Sequence, residues 1–524
     1  MSKALVLLLL LCNLAAARDL TVEQKLSDLN ELIAHVKGGY GPLIYKKQHF
    51  NIDVDDLYSR YVPLIKETKT NAEFYYLMVR FVAEFNDSHF RANVPTNLET
   101  SLGFSTDLVQ GKVLVDDIDR TVLPVDKFSF VKGDEVVSLD GKPILDELGE
   151  IVPYMGQGFA LAAKRRGAFM LTNRRASKVP AKKGKAVVEI RRGDSTVTEK
   201  VTLEWKAKGK FTDEFNPNKK LTRSTLRTSH VNYDRIEIEE KNRCSGDSRI
   251  KVPEGATVIM KEPFVAYYYP TAKGNVGYLR IPHYSPTDPN PTVNAHVLRF
   301  KQYEYAVSVL EKNTVGLVID QDHNCGGSVN WLHSFLTLFM DKPFAPMQFE
   351  LLASKAAYLD FGNWLVTQNQ NTLEYQNLLP VIELIKTTWL NTNDYLTRKT
   401  SISGEELWYP NDVRYTKPII VLIDELSGSG GDAFPALIQG YGRAKLLGTR
   451  TMGAGGHVIT LPPLNHSQIS VAITKSLFYR PDMVAVENNG AVPDIAYSPS
   501  VNDFRYGYLE YQKFYTDELL KLVK

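Results

Sequence analysis

The stretch "PIIVLIDELSGSGGDAFPALIQG" places a hydroxyl where the chain must turn hard. The aliphatic run from Ile419 to Ile423 reads as a strand buried on both faces. Ser429 follows between Gly428 and Gly430, just ahead of a helical pattern that starts near Asp432. Glycine permits backbone dihedrals that other residues avoid and lets another molecule approach the main chain closely. The first N–H groups of the helix point back at the turn and favour negative charge there. A hydroxyl so placed has the setting of a nucleophile beside an anion site, which is the chemistry of acyl transfer. The pattern follows the logic of a nucleophile elbow without the GxSxG spacing. A glycine-rich loop with helix-capping serines accounts for the same residues. Ser427 reads as a turn or cap residue, and Asp432 as a helix N-terminal acid.

Two other clusters carry polar chemistry. In "VGLVIDQDHNCGG" a second aliphatic strand pattern ends in a turn holding Asp320, Asp322, His323 and Cys325. The strand and glycine context makes this a turn, not a metal centre, and the chain has no CxxC, HExxH or EF-hand pattern. No metal and no cofactor are expected. "NDSHF", residues 86–90, closes the helical pattern "NAEFYYLMVRFVAEF" and sets polar side chains where a helix end can face a cleft.

The elements that must position these clusters read as follows. Residues 1–17 have an early lysine, a short apolar run and Ala15-Ala16-Ala17, the layout of a secretory signal cleaved after Ala17. The run is too short to span a bilayer comfortably, so no integral membrane segment is expected once it is removed. Residues 18–98 read as an N-terminal helical domain, and 99–205 as a β-rich module with Asp140-Gly141 as a tight turn. Within that module residues 164–192 hold 11 Lys and Arg against the single acid Glu189. They read as an inserted, solvated, protease-sensitive loop, with an anionic partner as the alternative. Residues 206–274 read as a connecting segment and 275–504 as an α/β core. A helical insertion, 341–416, interrupts that core, and 505–524 form a closing amphipathic helix. Either the basic loop or the helical insertion would serve as a lid over a cleft.

A hydrophobic content of 44%, a charged content of 23% and a net charge of +2 are ordinary for a globular enzyme. Nucleic-acid binding has no support from that balance. With the leader removed only Cys244 and Cys325 remain, and one bridge or two free thiols fit the sequence equally.

Taken together, "VLIDELSGSGGDAFPALIQGYGRAKLLGTRTMGAGG", "VGLVIDQDHNCGG" upstream and "VENNGAVPDI" downstream closely resemble the carboxyl-terminal-processing peptidases, a family of serine proteases. The likeness spans roughly residues 275 to 500, with the motifs in the family's order. It implies a crotonase-like α/β protease core and peptide-bond hydrolysis through an acyl-enzyme, with Ser429 as nucleophile. "FVKGDEVVSLDGKPI" resembles a PDZ-like strand and turn, and Leu102-Gly103-Phe104 the loop that captures a peptide carboxylate. A β-rich spacer without a ligand is the plainer reading.

One departure is decisive. The tail-specific branch takes its general base from a lysine in the loop that reads Gly453-Ala454-Gly455 here, and alanine accepts no proton. The branch of the tricorn-type and chlamydial secreted proteases uses a distant upstream histidine and a downstream glutamate instead. "NDSHF" resembles the histidine motif and "VENNGAVPD" the glutamate motif. This implies His89 as base, Ser88 beside it, and Glu487 as supporting carboxylate. An imidazole with an unperturbed pKa of about 6.5 can take a serine proton at neutral pH. His457 is the alternative base. The implied oxyanion hole joins the N–H of Gly430 to that of Gly326, with Gly327 as second choice. The resemblance further implies protein or peptide substrates, a periplasmic or secreted location and a homodimer. A catalytically silent peptide-binding scaffold on the same fold is the other reading, motivated by the missing lysine.

Overall fold

The computed structural model describes residues 19–209, 244, 248–286 and 294–524. The leader expected at 1–17 lies outside them, as do 210–243 and 245–247 of the expected connecting segment.

The two aliphatic runs become neighbouring strands. Gly316–Asp320 and Ile419–Ile423 are buried at every residue and lie side by side in parallel. They occupy the middle of a seven-stranded sheet ordered Thr257–Met260, Ala266–Thr271, Gly274–Arg280, Gly316–Asp320, Ile419–Ile423, Lys445–Gly448, Ile495–Ala496. The last five strands run parallel and the first two join antiparallel. Parallel neighbours need crossovers. Helix Ala295–Asn313 supplies that between Gly274–Arg280 and Gly316–Asp320, and helix Gly430–Gly440 that between Ile419–Ile423 and Lys445–Gly448.

Both faces of this sheet are covered, which explains why neither run alternates with polar residues. Leu317, Ile319, Ile419, Val421 and Ile423 pack into the large cluster beneath the crossover helices. Val318, Ile420 and Leu422 point to the opposite face, against Tyr511, Tyr515 and Leu519 of the final helix, Leu509–Leu522.

The N-terminal part contains helices Val22–Gly39, Leu43–Phe50, Val54–Glu67 and Asn71–Ala83, the first and last begun by capping boxes at Thr21 and Thr70. Their shared core takes in Leu461, Val471 and Ile473. Strand Arg91–Asn93 pairs antiparallel with Ser470–Thr474, which fastens the "NDSHF" turn to the protease core.

The β-rich module folds its strands Phe104–Val109, Lys112–Ile118, Glu135–Leu139, Lys185–Arg191 and Thr198–Glu204 into one antiparallel sheet. Here the structure corrects the sequence reading of 164–192 as a solvated loop. That stretch completes helix Ala160–Phe169, carries strand Asn173–Arg175 and supplies the interior strand Lys185–Arg191. Its cations are matched by distant acids: Arg165 by Asp107, Asp424 and Glu425, Arg174 by Glu147, and Arg191 by Glu135. A local count of charge shows none of those partners. The stretch 341–416 holds two helices, Lys355–Leu365 and Leu373–Asn391, and also strand Gln348–Leu351, which pairs with Ser476–Tyr479 and Thr400–Ser401.

Candidate active site

Because Gly316–Asp320 and Ile419–Ile423 are adjacent and parallel, the turns that follow them emerge at one edge of the sheet, where open α/β sheets bind ligands. The turns touch closely. Gly428 N–H donates to the Asn324 carbonyl at 2.9 Å. A side chain at Gly326, whose φ is +75°, would lie 2.7 Å from both the Gly428 oxygen and the Ser429 Cβ, so only glycine fits.

Ser429 sits at φ 59°, ψ −112°, a conformation that costs energy for any residue with a side chain. It is held there by its own N–H, which donates to Asp432 Oδ2 at 2.7 Å. The Ser429 hydroxyl caps the helix at Asp432 N–H and donates to no group among the described residues. Ser427, by contrast, is fully buried, and its hydroxyl is engaged with the Gln321 carbonyl at 2.6 Å and Asp424 Oδ1 at 2.9 Å.

Ser429, His89, Ser88, Gly326, Gly430 and His457 line one cleft of about 300 Å³. His89 is held by its main chain: its N–H donates to Asp87 Oδ1 at 2.8 Å. The buried Asp87 carboxylate also accepts from Phe90 N–H at 3.2 Å, the Tyr40 hydroxyl at 2.9 Å and the Thr474 hydroxyl at 2.8 Å. The backbone of Gly456 faces the His89 ring, whose buried Nδ1 has no partner. Burial pulls the ring's pKa down to about 4; Arg91 and Arg166 act in the same direction, and Asp87 and the Gly456 backbone oppose them. His457 differs in that its Nδ1 is committed to the Ser476 hydroxyl at 2.8 Å, and burial brings its pKa to about 3. The Ser88 hydroxyl donates to Gln157 Oε1 at 3.2 Å.

Glu487 lies behind the cleft. It is fully buried, ion-paired with the equally buried Lys46, and accepts from Gly455 N–H at 3.0 Å. No hydrogen bond joins Glu487 to His89 among the described residues. Burial and Asp87 raise its pKa to about 8, against the pull of Lys46 and the Gly455 bond. Lys46 further donates to the Asn86 carbonyl at 3.0 Å and Asn488 Oδ1 at 2.5 Å.

The loop Thr451–Gly456 links these groups. Asp432 accepts from the Thr451 hydroxyl at 2.5 Å, Gly453 N–H at 2.8 Å and Ala454 N–H at 2.9 Å, besides Ser429 N–H. Burial raises the Asp432 pKa to about 6, and these donors oppose the rise. The next residue, Gly455, binds Glu487, and the Gly456 backbone faces the His89 ring. The loop therefore runs from Asp432, which holds the Ser429 turn, to Glu487 and the surroundings of His89.

The two oxyanion choices differ in their bonding. Gly326 N–H is occupied by Asn324 Oδ1 at 2.8 Å. Neither Gly430 nor Gly327 N–H has an acceptor among the described residues.

Sequence reasoning missed Asp87 and Lys46. Asp87 carries a readable signal, an Asp two residues ahead of a histidine after a helix, the pattern of an Asx turn. Lys46 carries none, since it stands beside Lys47, whose side chain is exposed. Removing Lys46 strands a buried carboxylate. Lys46→Met should therefore destabilise the fold by about 3–5 kcal/mol in denaturant titration, with much of the loss restored in Lys46→Met/Glu487→Gln. A stability loss below about 1 kcal/mol would mean the pair is not buried as described.

Cys244 and Cys325 form a disulfide with Cα atoms 5.6 Å apart, which decides the question the sequence left open. Both half-cystines line the same cleft as Ser429.

Residues 275–497 match the model of peptidase family S41, and residues 98–214 match a PDZ domain. Over residues 275–497 the chain is similar to peptidase family S41. The chain is a serine protease, and its substrates are proteins or peptides. A protein of Chlamydia muridarum is 27% identical over 443 residues, covering 72% of this chain and 73% of that protein. The carboxy-terminal-processing protease of Bartonella bacilliformis is 32% identical over 97 residues, 18% of this chain and 22% of that protein. The structure of mature CPAF complexed with lactacystin shares the fold, with a TM-score of 0.81 at 24% identity, covering 96% of this chain and 99% of that one. Among the described residues, no helix of this serine protease is long and apolar enough to cross a membrane.

Proposed function

We propose that this serine protease is an exported endopeptidase in which Ser429 is the nucleophile and His89 the general base. The observation that carries the reading is a cleft holding a serine hydroxyl, on a strained turn, that donates to no described group, together with a histidine whose Nδ1 has no partner. Ser429 Oγ attacks the scissile carbonyl carbon while His89 Nδ1 takes the hydroxyl proton. The tetrahedral oxyanion is held by Gly430 N–H and, because Gly326 N–H is already engaged, by Gly327 N–H. The imidazolium returns its proton to the leaving amine as the carbon–nitrogen bond breaks. Water then attacks the acyl-enzyme, again losing its proton to His89.

Glu487 supports the site as a positioning residue. Its bond to Gly455 N–H orients the turn whose next residue faces the imidazole. Asp432 does the same for Ser429. Export rests on the leader pattern at 1–17 and agrees with the disulfide. A homodimer is retained as the expectation of the chlamydial resemblance.

The test is chemical. A fluorophosphonate should label the mature wild-type chain on the peptide containing Ser429, read by mass. Labelling elsewhere, or none at any pH, would favour the silent scaffold.

A further inference from the structure

In the two turns that meet at the cleft, two residues other than glycine stand in the left-handed region: Ser429 and His323, each at φ 59°. That conformation costs energy for a residue with a side chain and persists only where the surroundings fix it. Asp432 fixes Ser429. His323 is fixed by a different carboxylate, that of the buried Asp424, which directly follows strand Ile419–Ile423 in the nucleophile's own turn. Asp424 Oδ1 accepts from His323 N–H at 2.8 Å, and Asp424 Oδ2 lies 2.9 Å from His323 Nε2.

The same carboxylate shapes the turn it belongs to. Its Oδ1 also takes the Ser427 hydroxyl at 2.9 Å and Leu426 N–H at 3.3 Å. Ser427 Oγ in turn accepts from Asn324 N–H at 3.4 Å, and Gly428 N–H donates to the Asn324 carbonyl at 2.9 Å. Asp424 therefore bonds both turns, residue 323 of one and residues 426 and 427 of the other. Arg165 supplies its counter-charge, with Nη1 2.9 Å from Oδ2, whereas the neighbouring Arg166 lines the Ser429 cleft. Hydrogen bonds to an ionised acceptor are stronger than neutral ones, so this contact outweighs the amide bonds beside it. The two oxyanion donors, Gly327 N–H and Gly430 N–H, come one from each turn, and their spacing follows from whatever locks the turns together.

We propose that Asp424 is a positioning residue of the oxyanion hole: by gripping His323 from the nucleophile's turn, it sets Gly327 N–H opposite Gly430 N–H. The proposal rests on the reading of Ser429 as nucleophile and adds to it a residue that touches neither substrate nor reacting atoms. It carries a kinetic signature. The oxyanion exists only after attack, so a displaced donor lowers kcat and leaves substrate binding alone. A side chain needed only for folding would lower the amount of active protein, not the turnover of each active site.

The test compares full-length wild type with Asp424→Ala, Asp424→Asn and Asp107→Asn, counting active sites by the endpoint of fluorophosphonate labelling. Asp107 shares Arg165 with Asp424 but bonds neither turn among the described residues. Per active site, kcat on one peptide should fall about 100-fold in Asp424→Ala with KM within about twofold of wild type, the scale of losing one oxyanion donor. Asp424→Asn keeps a carbonyl for His323 N–H and should lose about tenfold in kcat, the difference between a charged and a neutral acceptor. Asp107→Asn should turn over as wild type. A peptide aldehyde, whose adduct with Ser429 places an oxygen in the oxyanion hole, should lose affinity in step with kcat, while the matching peptide amide should not. A kcat per site within about threefold of wild type in both Asp424 variants overturns the proposal, as does a loss carried by KM alone or an equal loss in Asp107→Asn. Should Asp424→Ala yield no labelled sites, Asp424→Asn decides by the same criteria. Failure of the catalytic reading is separable: Ser429→Ala would then hydrolyse the peptide as fast as wild type, whatever the Asp424 variants do.

Discussion

Replacing Ser429 with alanine should slow peptide hydrolysis on the order of 10⁵- to 10⁶-fold, the scale lost when a catalytic serine is removed from a working unit. Asp432 N–H, which the Ser429 side chain caps, also donates to the Ser429 carbonyl at 2.9 Å, so removing the hydroxyl leaves no buried group stranded. The alanine would meet the same backbone constraint at φ 59° as the serine it replaces. The thermal midpoint should accordingly stay close to wild type, and fluorophosphonate labelling should vanish. Steady-state hydrolysis of a denatured protein substrate, beside a melting curve, measures both. Undiminished hydrolysis by Ser429→Ala would remove Ser429 from the mechanism.

His89→Ala should cost on the order of 10⁴-fold or more, because nucleophile and base act as one unit. His457→Ala should cost far less, since its Nδ1 already serves Ser476. The pH profile carries the same assignment. The base works only as neutral imidazole, and burial, Arg91 and Arg166 favour that form over the pull of Asp87 and Gly456. With the ring at about 4, kcat/KM in the wild type should hold through the neutral range and fall as pH drops through about 4. An acid limb near 6.5 would place the responsible histidine in solvent. A larger loss in His457→Ala than in His89→Ala would transfer the role to His457.

The parts of this molecule that were legible without coordinates are those governed by neighbours along the chain. Ile419–Ile423 is unbroken in its apolar character because both of its faces are covered, and the glycines flanking Ser429 announce the turn that follows. The motif resemblance pointed away from a lysine base, because Ala454 stands in the loop that carries that lysine in the tail-specific branch. The parts that were not legible depend on charges meeting across the fold. Arg165 meets Asp424 across 259 positions, and Lys46 meets Glu487 across 441. A lysine beside another lysine, or an arginine in a basic run, has the same local pattern whether it is solvated or buried. Only packing decides which, because burial removes water and a specific carboxylate must replace it.

The chain order alone therefore determined the two buried strands and the serine turn. The tertiary structure decided that Gly326 N–H is engaged while Gly327 N–H is not among the described residues, and that Glu487 accepts from Gly455 N–H and pairs with Lys46. It also decided which of two neighbouring arginines faces the cleft. Hydrogen-bond occupancy and desolvation are properties of the assembled surroundings, and residue type along the chain sets only what each group is able to offer.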